Sequence, residues 1–375
     1  MTGLPTLPEA MRQALALALQ GLFLTSPNPR VGCVLTNDAD EVIGSGHTQQ
    51  AGGPHAEIMA LRDAQSRGLS TAGATAWVTL EPCSHHGRTG PCCEALISAG
   101  IRKVVASIAD PNPLVSGQGF ARLRAAGIEV ETGPGAEKSR ELNIGFFSRM
   151  QRGRPWVRMK MAASLDGQTA LQNGASQWIT SPPARADGHA WRARACAVLT
   201  GMGTVRDDNP RLDVREVETP RQPRLVLVDS RLETPVDAAL FQPQRPVIIY
   251  AAVIDADREA ALQARGASIH YLPGQASGNA GKVDLAAMMQ DLARREVNEL
   301  HVEAGHQLNG SLIRAGLVDE FLVYLAPKWL GQGRPMTSLG PWSSLNEAVE
   351  LTFKAIDPIG PDLRILARMA GARQF

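Results

Sequence analysis

The sequence lacks a dominant charge: 38 Lys and Arg residues face 37 Asp and Glu, a formal net charge of +1 over 375 residues. Nucleic-acid binders carry a basic excess or a clustered basic stripe, and RNA binders add aromatic stacking platforms. Aromatic residues make up only 5% of this chain, so small-molecule chemistry is favoured over nucleic acid. Long apolar runs are missing too. No stretch approaches the roughly 18 residues that span a bilayer, and residues 1–9 carry no basic residue of the kind that opens a secretory signal. Cysteine is scarce, with Cys33, Cys83, Cys92, Cys93 and Cys196. An odd number, three of them crowded together, suits metal binding in a reducing compartment better than a disulfide framework. These absences point to a cytoplasmic protein with no membrane partner. Internal repeats, low-complexity segments and a dinucleotide fingerprint are also absent: Arg206 stands where Gly201-Met202-Gly203 would need its third glycine.

What is present is a globular composition, 44% hydrophobic and 20% charged, on a chain long enough for two or three cores. Hydrophobic periodicity and turn residues predict helices over 8–24, 55–67, 92–99 and 119–126, and a single closing helix over 136–150. Strands are expected over 31–35, 41–45, 75–80, 103–108 and 128–131. The polar, kinked Gln151-Arg152-Gly153-Arg154-Pro155 marks a boundary between residues 1–150 and 151–375. A second series follows, with strands over 156–161, 197–199, 225–228, 247–250, 299–302 and 320–325, and helices over 182–193, 286–295 and 310–315. Alternation of this kind predicts α/β layers with helices covering a sheet in each domain.

Two segments carry the sharpest chemistry: Pro54-His55-Ala56-Glu57 and the run Glu81–Cys93, which contains Pro82-Cys83 and Pro91-Cys92-Cys93. A catalytic zinc takes three N or S ligands and keeps one position open for water; His55, Cys83 and Cys92 supply such a set. Water bound to zinc falls in pKa toward about 7. Glu57, two residues after the ligand histidine, is placed to handle the water proton without ligating, then to protonate the ring and the departing ammonia. Cys93 beside Cys92 leaves the register open, although Cys92 directly follows Pro91 at the helix start. A structural zinc site with His85, His86 or Cys93 as fourth ligand is the bland alternative.

His55-Ala56-Glu57 with Pro82-Cys83 matches the zinc deaminase pattern H-x-E…P-C-x-x-C, except that the second cysteine lies nine positions on. With that longer insert, and with Asn28-Pro29-Arg30-Val31-Gly32 upstream, the segment resembles the riboflavin-biosynthesis deaminases. The resemblance implies a cytidine-deaminase-like α/β/α sandwich and a ribosylaminopyrimidinone phosphate as substrate. His85 and Arg88 in the insert are then candidates for ribose or phosphate and Asn28 for the ring edge, with His47 a weaker one. Cys33, in an apolar strand, reads as packing.

A deaminase does not need the residues that follow. Three stretches stand out there: Ala162–Gly167 running on to Ser176-Gln177-Trp178-Ile179-Thr180, Gly203–Leu212, and Val302-Glu303-Ala304-Gly305 followed by Leu308-Asn309-Gly310-Ser311. In the third, a strand ends in Ala-Gly and Asn309 is expected to cap the next helix, leaving backbone amides as a phosphate cradle. Together the stretches resemble the dihydrofolate-reductase-like, NADPH-dependent domain fused to riboflavin deaminases. The whole chain is therefore similar to the bifunctional deaminase/reductase family of riboflavin synthesis. That resemblance implies zinc and NADPH as cofactors, a homodimer or tetramer, and reduction of the ribosyl side chain to ribityl. It assigns cofactor contacts to Ala162, Trp178, Thr204, Asp208, Ser230, Gly305, His306, Gln307, Leu308, Asn309, Gly310 and Ser311. Substrate contacts fall on Ser176, Arg192, Leu212, Arg215 and Glu303, with Arg192 and Arg215 as phosphate clamps. Ser230 and Arg231 are expected to read a 2′-phosphate. His306 departs from the family, which more often has proline there. A nucleic-acid base deaminase with a C-terminal RNA-binding module is the rival reading.

Overall fold

The computed structural model describes residues 7–84, 90–113, 115–275 and 281–371. The chain divides into two compact units, Met1–Arg152 and Gly153–Phe375. Among the described residues no helix is long and apolar enough to cross a membrane.

The first unit runs α1 (Glu9–Gln20), β1 (Gly32–Thr36), β2 (Val42–His47), α2 (Ala56–Ser66), β3 (Thr75–Val78), α3 (Cys92–Ser98), β4 (Lys103–Ala106), α4 (Gln118–Ala125), β5 (Glu129–Thr132), α5 (Ala136–Leu142) and α6 (Ile144–Arg152). Its sheet has the order β2-β1-β3-β4-β5. β1 is antiparallel to β2 and β3, while β3, β4 and β5 run parallel. Every residue of β1 is buried, as expected for a central strand covered on both faces. On one face Ala10, Met11, Ala14 and Leu15 of α1 pack on Val34 and Val105. α2 packs on β1 and β2. Gly46 lets it approach, since a Cβ there would lie 2.4 Å from the Met59 Cβ.

The single closing helix expected over 136–150 is two helices, broken at Asn143. The break has a physical cause. The buried Asn143 side chain accepts from the Arg30 N–H (2.7 Å) and donates to the Arg30 carbonyl (3.0 Å), while the Arg30 guanidinium donates to the Leu142 carbonyl (2.8 Å). Satisfying the buried backbone ahead of β1 outweighs helix continuity.

The second unit comprises β6 (Trp156–Ser164), β7 (Gln168–Leu171), α7 (Pro182–Arg194), β8 (Ala197–Gly201), α8 (Met202–Asp208), β9 (Arg224–Val228), β10 (Val247–Ala251), α9 (Ala256–Gln263), β11 (Ala267–Tyr271), α10 (Leu285–Arg294), β12 (Glu299–Val302), α11 (His306–Arg314), β13 (Glu320–Ala326), β14 (Gly333–Pro335), β15 (Leu351–Ile359) and β16 (Asp362–Met369). Its large sheet has the order β11-β10-β9-β8-β12-β6-β13-β16-β15. From β11 to β13 the strands are parallel; β16 and β15 close the edge as an antiparallel hairpin. A separate ribbon pairs β14 with β7. α11 starts at His306 with Gly305 as its N-cap, not after Asn309. Asn309 is therefore inside the helix, 2% exposed, with its Nδ2 donating to the Met336 carbonyl (3.1 Å).

Candidate functional sites

In the first unit, helix starts position the ligands. Pro54 precedes His55, the N-cap of α2, and Pro91 precedes Cys92, the first residue of α3. Proline's fixed φ suits both places. Cys83 follows β3 and is tied to α3 twice: Cys92 N–H points at its Sγ (3.3 Å), and Cys93 N–H at its carbonyl (3.2 Å). His55 Nδ1 lies 3.5 Å from Cys83 Sγ and 3.3 Å from Cys92 Sγ. The three ligand atoms fall within 4.8 Å of one another. Zinc bonded to N at about 2.0–2.1 Å and to S at about 2.3 Å sets tetrahedral N···S edges near 3.5 Å, so the triad fits zinc, and among the described residues no fourth His, Cys, Asp or Glu joins it. Cys93 is not in the cluster; it is buried, and burial pushes its thiol up. His86 and its neighbours His85 and Arg88 lie outside the described residues.

Glu57, in the first turn of α2, is 4% exposed. Burial and the charge of Cys83 push its carboxyl up to about 7, where it exchanges a proton near neutrality; a bound dication opposes that rise. Hydrogen bonding from Cys92 holds the Cys83 thiol down at about 4, and the same contact pushes Cys92 up. Below them Cys33 is fully buried, its thiol raised by burial and then by Glu57. His47, at the end of β2, is shifted down by burial. Asn28 sits half-buried in the turn after α1, with its N–H on the Thr25 carbonyl (2.8 Å).

The second unit holds a cavity of about 670 Å³ at the C-terminal ends of β6, β8, β9 and β12, where open parallel sheets place ligands. The cavity gathers Ala162, Trp178, Thr204, Asp208, Gly305, His306, Gln307, Leu308 and Asn309 from the cofactor set and Ser176, Arg192, Leu212, Arg215 and Glu303 from the substrate set. Ser230, Gly310 and Ser311 are not in the lining. The Ser230 carbonyl holds the Ala252 and Val253 N–H groups instead, and Ser311 Oγ donates to the Gln307 carbonyl (3.0 Å). Gly310 admits a crossing chain, since a Cβ there would stand 2.2 Å from the Ser338 oxygen. Arg231 is not in the lining either.

A dinucleotide phosphate fits this lining. α8 and α11 both begin at the cavity, and the first N–H groups of a helix have no intrahelical partner. The two starts come close, because a Cβ on Gly305 would lie 3.7 Å from Thr204 Oγ1. The buried Asn309 Oδ1 has no partner. Trp178 is 60% exposed at the mouth, with the Arg185 guanidinium over its ring at 4.4 Å. Ser176 donates to Asp208 (3.2 Å).

Deeper in, Arg192 grips Glu303 with two donors, one bond being 2.8 Å, and gives a third to the Asp213 carbonyl (3.0 Å). Burial alone would raise the Glu303 carboxyl, but Arg192 and Lys160 hold it well below the carboxylate range. Burial lowers Lys160, 3.6 Å from Glu303. Sequence reasoning missed Lys160, Arg211 and His189, which also line the cavity. The signal for Lys160 was there: Arg158 and Lys160 alternate with apolar residues in a central strand.

Comparison with known proteins agrees with both units. Residues 6–108 match the cytidine and deoxycytidylate deaminase zinc-binding region, and residues 155–365 match the RibD C-terminal domain. The second match leaves no place for an RNA-binding module. The riboflavin biosynthesis protein RibD of Escherichia coli is 45% identical over 94% of this chain and 96% of its own. The solved Acinetobacter baumannii RibD superposes with a TM-score of 0.86 at 38% identity, covering 96% of this chain and 98% of that one. A Thermotoga maritima protein described as a diaminohydroxyphosphoribosylaminopyrimidine deaminase/5-amino-6-(5-phosphoribosylamino)uracil reductase gives 0.85 at 31% identity, with the same coverage. With a cytidine-deaminase-like N-terminal fold and a dihydrofolate-reductase-like C-terminal one, the chain belongs to the RibD family of riboflavin-biosynthesis proteins.

Proposed function

We propose that the chain carries out two successive steps of riboflavin synthesis. The first is hydrolytic deamination of 2,5-diamino-6-(5-phosphoribosylamino)pyrimidin-4(3H)-one in residues 1–150. The second is NADPH-dependent reduction of the ribosyl side chain in residues 151–375, giving 5-amino-6-(5-phosphoribitylamino)uracil. The observation that carries the reading is the cluster of His55, Cys83 and Cys92 beside buried Glu57.

His55, Cys83 and Cys92 hold the zinc, which supplies a Lewis acid that brings water within reach of ionisation at neutral pH. Glu57 takes the proton from attacking water on its carboxylate, passes it to the ring nitrogen and delivers one to the leaving ammonia. Its burial in the first turn of α2, two residues from the ligand His55, suits both roles. Asn28 holds the ring edge; His85 and Arg88 hold the ribosyl phosphate.

In the second unit the nicotinamide of NADPH supplies the reducing equivalent, and the protein supplies orientation. Ala162, Trp178, Thr204 and Asp208 bind the cofactor together with the amides of Gly305, His306, Gln307, Leu308 and Asn309. Ser230, with Gly310 and Ser311 of α11, completes the cofactor contacts. Ser176, Arg192, Leu212, Arg215 and Glu303 hold the substrate. The protein works in the cytoplasm as a homo-oligomer, with no nucleic-acid or membrane partner. A coupled assay that follows ammonia release and NADPH oxidation separately tests the reading, with Glu57→Ala beside it. The variant is expected to lose ammonia release by about 10²–10⁴ while still reducing supplied deaminated intermediate. Ammonia release without NADPH oxidation by the parent protein would overturn the second assignment.

A further inference from the structure

Asn143, buried at the break between α5 and α6, grips the Arg30 backbone at both its N–H and its carbonyl. Its Nδ2 also donates to the Ser139 carbonyl (3.2 Å). Ser139 Oγ donates in turn to the Thr79 carbonyl, and Thr79 Oγ1 accepts from the Gly32 N–H (3.1 Å). The Gly32 carbonyl takes the Thr79 N–H, also at 3.1 Å. A closed ring of hydrogen bonds thus runs from the break to Arg30, Gly32, Thr79 and back, and all of its residues are buried.

The ring sits at the zinc end of the sheet. β1 runs antiparallel to β2 and β3, which sets Gly32 opposite His47 and Cys33 opposite Val78. The chain entering β1 and the chain leaving β3 therefore share one end. The first carries Asn28, two residues before Arg30, and the second leads through Thr79 to Cys83. Thr25, fully buried, fixes Asn28 from the other side: its Oγ1 donates to the Asn28 carbonyl (3.1 Å) and its carbonyl accepts the Asn28 N–H (2.8 Å). Among the described residues the Asn28 side-chain amide has no hydrogen-bond partner. Asn28 is half-buried, its backbone satisfied and its amide free to offer donors and an acceptor.

We propose that Asn143 is a positioning residue for the deamination: through Arg30 it fixes the turn that presents the Asn28 amide to the edge of the substrate ring. The role of Asn28 rests on the deaminase reading above. A primary amide matches the donors and acceptors of a pyrimidinone edge only at a set angle, so the backbone that carries it must not swing. A turn left loose would be ordered anew each time substrate binds. That cost falls on KM and leaves the chemical step alone, whereas a merely structural role would lower the number of working sites and leave KM unchanged.

The test follows ammonia release by the full chain, with zinc content as the measure of a folded first unit. Asn143→Ala is expected to raise KM for the diaminopyrimidinone ribosyl phosphate by roughly five- to thirtyfold, the cost of ordering one residue's backbone. Its kcat should stay within about threefold, zinc should be retained, and hydrogen exchange should quicken over residues 25–31. Asn143→Asp keeps an oxygen for the Arg30 N–H but no donor for the carbonyl; its KM should fall between, and it decides the matter if the alanine variant lacks zinc. Asn28→Ala should itself raise KM, and in that background Asn143→Ala should cost less than about threefold. Parent-like KM in both Asn143 variants, loss of kcat or zinc in both without a rise in KM, or full additivity with Asn28→Ala each overturn the proposal. If Asn28→Ala leaves KM at the parent value while Asn143→Ala still quickens exchange over residues 25–31, the reading of Asn28 fails and the lock on the turn stands.

Discussion

Glu81→Gln is expected to loosen the zinc-side loops without touching a zinc ligand. Glu81 stands two residues before Cys83 and is 5% exposed. One carboxylate oxygen accepts from the Asp110 and Gly117 N–H groups at 3.0 and 2.9 Å, the other from Gly119 and Phe120 at 2.9 and 3.3 Å. A single side chain thus gathers the 110–120 loop and the start of α4 onto the chain that leads to Cys83. Glutamine keeps one oxygen and turns an NH₂ donor against two N–H donors. Two charge-assisted bonds at about 1.5–3 kcal/mol each are lost, so the local opening free energy should fall by roughly 3–6 kcal/mol. At 1.36 kcal/mol per tenfold, amide protection over residues 110–120 should drop by about 10²–10⁴-fold. Hydrogen–deuterium exchange on the full chain reads this directly, and dialysis against a chelator should show faster zinc loss. Protection within about tenfold of the parent, with zinc retention unchanged, would refute the reasoning.

Three further outcomes follow from named contacts. Cys92→Ser removes a soft ligand from the cluster of His55, Cys83 and Cys92, so bound zinc by metal analysis should fall well below one per chain while reduction of supplied intermediate persists; full zinc content would move the site to Cys93. Gly310→Ala drives a Cβ to 2.2 Å from the Ser338 oxygen, and a shift of α11 costing about 1–3 kcal/mol should raise KM for NADPH; a parent-like KM would detach α11 from the cofactor. His189 is held down at about 4 by burial, then by Arg192 and Arg215. Its neutral form is favoured in the folded state, so its stabilisation is full above the unfolded value of about 6.5 and is lost as pH falls toward 4. The difference amounts to roughly 3 kcal/mol. Urea titrations from pH 7 to 4 should therefore show His189→Gln with a shallower decline than the parent, and identical slopes would remove His189 from that role.

Much of the fold and of the zinc site is legible in the chain's local sequence. Pro54-His55-Ala56-Glu57 and Pro91-Cys92 each join a ligand to a helix start within two to four residues, and Pro82-Cys83 adds the third ligand. The buried strands of both sheets stand out as apolar runs, because a strand covered on two faces cannot be polar. The elements that escape such a reading are of another kind. β15 has exposed residues on both faces at the edge of its sheet, so no alternation betrays it. α5 and α6 read as one helix because the reason for the break at Asn143 lies with Arg30, 113 positions away.

The sequence by itself determined the zinc chemistry and the α/β class of both units, because helix starts, ligand spacing and strand burial are all encoded within a few consecutive residues. Only the tertiary structure decided which residues share the second cavity. Lys160, Arg192, Arg215, Glu303 and the N-terminus of α11 come from separate strands and helices, and nothing local records that the ends of β6, β8 and β12 meet. Ser230 falls outside that lining and Arg211 within it for the same reason: a parallel sheet brings together the ends of strands that the chain visits out of order.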